Sequence, residues 1–136
     1  MLKRQEQTTL FGEQQGTPFK KDRPEAAALM EVLKALRNHS AVAWCERQNS
    51  GAAKVGGRFI RFGWRGCSDI IGQLKDGRLL ACEVKAPKGK LREEQQIFID
   101  QVNHAGGVAF MARNYLDVQE ALQAKQLKQS IGRYQL

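Results

Sequence analysis

Two half-apolar stretches around a tight turn, SDIIGQL and RLLACEVK on either side of KDG, set the strongest limit on how this chain folds. They predict a β-hairpin. Side chains alternate along a strand, so Glu83 and Lys85 share one face while Val84 points to the other. A carboxylate and an ammonium at the end of an apolar strand are costly to bury without partners. The hairpin register decides whether Asp69 joins them. A two-residue loop at Asp76-Gly77 pairs Lys75 with Arg78 and Asp69 with Val84, which puts the acids on opposite faces. A three-residue loop, Lys75-Asp76-Gly77, pairs Leu74 with Arg78 and Asp69 with Glu83. That loop is a type I turn plus bulge with Gly in its left-handed position, which Gly77 supplies. The second register is therefore expected.

Flanking patterns complete an α/β domain over residues 22–128, between polar tails at 1–21 and 129–136. DRPEAAALMEVLKALRNHS reads as a helix with Leu29, Val32, Leu33 and Leu36 on its apolar stripe. AVAWCERQ and RFIRFGW read as strands, with NSGAAKVGG as a loop between them. Leu91, Gln95, Phe98, Val102 and Ala105 recur at helical spacing and end at Gly106-Gly107. VAFMA is a short buried strand, and DVQEALQAKQL a closing helix with a capping-box start at Asp117 and Glu120. The order is α-β-β-β-β-α-β-α, a mixed β-sheet flanked by helices. Cys45, Cys67 and Cys82 are odd in number and lack metal-ligand spacing, which fits a reducing compartment. No apolar run approaches the ~18 residues of a membrane span, and the polar N-terminus is no secretory signal. A cytoplasmic protein is expected.

Two facing carboxylates repel unless a cation holds them together. Oxygen ligands from two acids with retained waters are what Mg2+ or Mn2+ prefers. A lysine beside such an ion can orient or help deprotonate a bound water, and the ion neutralises charge developing on a phosphate. This layout suits phosphodiester hydrolysis, although the bare Glu-Val-Lys triplet taken alone favours a surface salt bridge at a strand end. The net charge of +8 and a pI near 9.7 favour a polyanionic partner, nucleic acid before membrane. Arg47, Lys54, Arg58, Arg61 and Arg65 lead toward Asp69 through a Gly-rich segment, where arginine forks and close backbone approach suit phosphates. Asn49 and Ser50 can donate to the substrate backbone, and Lys88 and Lys90 can add phosphate contacts. Trp44, Phe59, Phe62 and Trp64 read as core or interface, and His39 and His104 as helix-end residues.

The stretch GCSDIIGQLKDGRLLACEVKAPKGKLREEQQIFIDQVNHAGG resembles the virus-type replication-repair nuclease (VRR-NUC) domain of the PD-(D/E)xK nuclease superfamily. The family pattern is Gly-x-Pro/Ser-Asp, a hairpin, Glu-Val-Lys, a Gly-containing turn, a helix opening Leu-x-x-x-Gln, and a closing Gly-Gly. The likeness spans about residues 22–122, with Ser68 where the superfamily name has Pro. It implies Asp69, Glu83 and the Val84 backbone carbonyl as ligands of a divalent metal. It also implies that Lys85 positions the nucleophilic water and that Gln95 reaches the site from the following helix. Gln95 interrupts an apolar stripe, so it needs a polar partner, in the site or on the backbone at the helix start. Many such domains carry a further acid on the first helix. Glu25 lies on the inward stripe and Glu31 points away, although Asp22-x-x-Glu25 also fits a capping box. Stand-alone members are associated with four-way (Holliday) junctions, and symmetric cutting there implies a homodimer. The alternative is a non-catalytic nucleic-acid-binding module on the same fold. In the tail, QTTLF resembles the peptide that docks bacterial replication proteins on the sliding clamp, with Gln7 as anchor and Leu10 and Phe11 filling a pocket. The implied setting is a bacterial or phage-infected cell.

Overall fold

The computed structural model describes residues 23–49 and 51–123. Both expected tails lie outside these residues, and with them Gln7, Leu10, Phe11 and Asp22; Ser50 lies outside as well. The elements are α1 (Arg23–Arg37), β1 (Val42–Arg47), β2 (Gly51–Val55), β3 (Arg58–Phe62), β4 (Ile70–Leu74), β5 (Leu79–Val84), α2 (Glu93–His104) and β6 (Val108–Ala112). A last helix, α3, is described over residues 115–123.

The main sheet has the order β1-β4-β5-β6. β1 and β5 run antiparallel to β4, and β6 runs parallel to β5. The expected mixed sheet with flanking helices is thus observed. Alternation sorts β5 cleanly. Leu80, Cys82 and Val84 enter a core with Leu29, Val32 and Leu36 of α1 and with Val118 and Leu122 of α3. Ala81 packs on the opposite face with Phe98, Ile99 and Val102 of α2. Glu83 and Lys85 follow Ala81 in phase and therefore point to the α2 side.

There is one more strand than expected. The segment expected as a loop contains β2, which pairs with β3 in a separate two-stranded sheet. Gly-Ala-Ala-Lys-Val holds a single β-branched residue, so neither propensity nor alternation marks it as a strand. The turn does: Val55 pairs with Arg58 around Gly56 and Gly57, whose φ values of 56° and 76° suit a two-residue hairpin loop.

The central hairpin takes the three-residue loop. Leu74 N–H donates to the Arg78 carbonyl at 2.9 Å, Gly77 N–H donates to the Leu74 carbonyl at 2.9 Å, and Gly77 has φ 95°. Ile70 pairs with Cys82, so one step further Asp69 stands opposite Glu83.

The start of α3 differs from expectation. Its cap is Asn114, whose side-chain oxygen accepts the Asp117 N–H at 3.0 Å, so Asp117 lies inside the first turn. Glu31 on α1 accepts the Tyr115 N–H at 3.1 Å, placing a negative charge at the N-terminal end of α3.

Candidate active site

The geometry of the site begins with backbone. Gln48 N–H donates to the Asp69 carbonyl at 2.7 Å, extending the β1–β4 ladder past the end of both strands. The Asp69 carboxylate in turn accepts the Val84 N–H at 2.8 Å, which ties it to β5. Glu83 is 2 % exposed and Lys85 8 %. One Glu83 oxygen, Oε1, accepts Gln95 Nε2 at 2.7 Å and stands 3.6 Å from Lys85 Nζ. Gln95 uses both ends of its amide, because its oxygen accepts the Arg92 N–H at 2.9 Å. The helix-start tie and the reach into the site are two halves of one arrangement, and the first fixes which end of the amide faces Glu83.

Burial raises the Glu83 pKa from its ordinary 4.5 to about 8, and the nearby Asp69 carboxylate adds to the rise while Lys85 opposes it. The other Glu83 oxygen, Oε2, is buried with no hydrogen-bond partner. A carboxylate so placed can be relieved by a proton or by a cation. The residues present fit a hard dication: Asp69 and Glu83 offer oxygens from adjoining strands, and the Val84 backbone lies between them and Lys85. Among the described residues no cluster of three His, Cys, Asp or Glu side chains gathers. Two acids plus neutral oxygens and waters is nonetheless a set that Mg2+ accepts.

This end of the sheet opens into a cleft of ≈ 410 Å³ lined by Asp69, Glu83, Gln95, Arg61, Arg65 and Phe59 among others. The β2–β3 hairpin contributes one wall and the start of α2 another. Of the expected nucleic-acid contacts, Arg61 and Arg65 line the cleft, whereas Arg47, Asn49, Lys54, Arg58, Lys88 and Lys90 are exposed outside its lining. The acid Glu46 does not offset the cleft arginines, since it pairs with Arg37 at 3.2 Å.

Two placements correct the sequence reading. Glu25 does not face inward: the first turn of α1, Pro24 to Ala27, is exposed, and packing begins at Ala28. The apolar stripe of α1 therefore does not continue one turn back from Ala28 and Leu29. Glu25 is not among the residues lining the cleft. The aromatic residues expected in the core or an interface are not in the core. Trp44, Phe59, Phe62 and Trp64 are 51 %, 73 %, 45 % and 60 % exposed. Phe59 and Phe62 line the cleft, and Trp64 meets Phe98 edge-on with centroids 5.1 Å apart. The histidines sit at helix ends as expected. His39 accepts the Ala41 N–H through Nδ1 at 3.0 Å just past α1, and His104 is the last residue of α2.

Arg92 and Glu94 also line the cleft, and sequence reasoning missed both. Their position after the Gly89 turn and before Gln95 was the available signal. Gly66 explains how Glu94 comes close. At φ 80°, a Cβ there would lie 2.7 Å from the Glu94 carbonyl oxygen. Gly66→Ala is expected to cost about 1–3 kcal/mol from the backbone conformation and the clash. Chemical denaturation would measure it, and an unchanged midpoint would contradict this packing.

A mixed sheet that presents an Asp and a Glu on neighbouring strands, with a Lys two residues beyond the Glu, is the arrangement of PD-(D/E)xK-type nucleases. The model of the VRR-NUC domain matches residues 10–114, and the chain belongs to that family. No curated protein and no solved structure matches the chain.

Proposed function

We propose that the protein is a divalent-metal-dependent endonuclease that hydrolyses phosphodiesters in branched DNA, with the four-way junction as its preferred substrate. The observation that carries this reading is the buried Glu83 carboxylate, opposite Asp69, with an unpartnered oxygen at the base of an arginine-lined cleft. Asp69, Glu83 and the Val84 carbonyl would hold Mg2+ or Mn2+. Such an ion would supply charge neutralisation at the scissile phosphate and acidify a water. Lys85 would orient the attacking water and stabilise negative charge developing there. Gln95 holds the Glu83 carboxylate in place through its amide. Arg61 and Arg65 seat the phosphates flanking the cut, and the exposed aromatics beside them offer apolar surface to sugars or unstacked bases.

Branched DNA is favoured over linear duplex on family likeness. Paired cuts across a four-way junction need two such clefts related by a two-fold axis, hence a homodimer. Docking of the 7–11 peptide on a sliding clamp would bring the enzyme to replicating DNA.

Cleavage of four-way junction, flap and linear duplex, each with Mg2+, Mn2+ or EDTA, tests the reading. Metal-dependent cutting of the junction at least tenfold faster than of the duplex is expected. Equal rates on both would remove the structure selectivity. Tight junction binding with no cleavage in either metal would replace the enzyme with a binding module.

A further inference from the structure

Beyond Glu83 Oε2, two side-chain oxygens among the described residues are buried without a hydrogen-bond partner, Gln48 Oε1 and Ser68 Oγ. All three stand at the same end of the sheet. Register separates them. Arg47 pairs with Ile70, and the Gln48 N–H to Asp69 carbonyl bond continues that pairing by one residue. Facing residues of an antiparallel pair project to the same side. Gln48, Asp69 and Glu83 therefore form a row across three adjoining strands on the α2 side. Ser68, one residue out of phase, points to the α1 side and does not belong to the row.

A buried acceptor with no donor is destabilising, and native folds rarely leave one unexplained. Two in one row, with a carboxylate between them, indicate a shared positive partner. An amide oxygen is a hard, neutral ligand of the kind that Ca2+ and Mg2+ sites draw from Asn, Gln and backbone carbonyls. It also suits the charge balance: two carboxylates already neutralise a dication, so the third donor can be neutral. Among the described residues no third His, Cys, Asp or Glu gathers with these two acids into a metal-holding group, and Glu25 is exposed.

We propose that Gln48 is the third side-chain oxygen donor of the cation site, binding the ion alongside Asp69 and Glu83. This rests on the metal-site reading above. Gln48 thereby couples edge strand β1 to the site and to the basic segment that follows it.

Calorimetric titration of Mn2+ into the full chain, without DNA, tests the proposal on wild type, Gln48→Met, Gln48→Glu and Asp69→Asn. Gln48→Met is expected to weaken Mn2+ binding about tenfold or more. Gln48→Glu retains an oxygen donor and is expected to bind at least as tightly as wild type, and Asp69→Asn is expected to lose the site. Melting in EDTA gives an independent readout. Gln48→Met, which removes an unsatisfied oxygen, is expected to melt no lower than wild type yet gain less from Mn2+. Unchanged Mn2+ affinity in Gln48→Met, with binding lost in Asp69→Asn, would overturn the role of Gln48 and leave the metal site standing. A lowered melting temperature with an undiminished gain from Mn2+ would reassign Gln48 to packing. Wild-type affinity in Asp69→Asn would remove the metal site itself.

Discussion

Replacing Lys85 with methionine is expected to slow junction cleavage by about 10²–10⁴-fold, the range for losing a positioned proton-transfer or charge-stabilising group. Methionine keeps the length of the stem, which matters because Lys85 is only 8 % exposed and a smaller side chain would leave a void. Junction binding should survive, since the ammonium is spent on Glu83 Oε1 at 3.6 Å and the cleft arginines supply the phosphate contacts. Single-turnover cleavage and gel-shift titration separate the two effects. Cleavage within a few-fold of wild type would refute the role given to Lys85. Equal loss of binding and cleavage would make it a phosphate contact.

Glu83→Gln is expected to be at least as damaging to catalysis and, without metal, to stabilise the protein as the pH rises. The sign follows from linkage. Glu83 has a folded pKa of about 8 against an ordinary 4.5, so between those values the folded state holds a proton that the unfolded chain releases. Wild-type stability in EDTA therefore falls as the pH climbs from about 5 to about 8, and it is fully retained only below that window. Glutamine does not titrate and keeps a donor where the proton had been. Melting in EDTA should bring the two proteins together near pH 5 and separate them near pH 8, with the variant higher by on the order of 5 °C. Mn2+ should reverse the order at pH 8, because an ion can replace the proton on Glu83 but finds only the Asp69 carboxylate in the variant. A wild-type melting curve with no relative decline toward pH 8 would contradict the burial argument. A variant stabilised by Mn2+ as strongly as wild type would contradict the ligand role.

The parts of this site legible in the sequence were those fixed by local rules. Lys-Asp-Gly dictated a three-residue turn, the turn dictated the register, and the register put Asp69 opposite Glu83. Gln95 stood out because it broke an apolar stripe. Part of what escaped depended on strands far apart in the chain. The partnership of Gln48 with Asp69 requires the β1–β4 register, and β1 carries a bulge between Val42 and Trp44 that shifts its alternation by one residue. Counting by twos from Val42 therefore assigns the wrong face to everything beyond it. The β2 strand was hidden by composition, since Gly and Ala carry little strand signal even when a Gly-Gly turn closes the hairpin. Glu25 failed for the opposite reason: helical periodicity gives the direction of a side chain and says nothing of whether that side chain is covered.

Crystals grown with Mn2+ and measured at the manganese absorption edge test the central claim most directly. The account predicts one anomalous peak bound by oxygens of both Asp69 and Glu83, within about 2.0–2.4 Å of each, with the Lys85 ammonium nearby. A fully occupied lattice with no peak between those carboxylates, or with the two oxygens turned to opposite sides of the sheet, would contradict it.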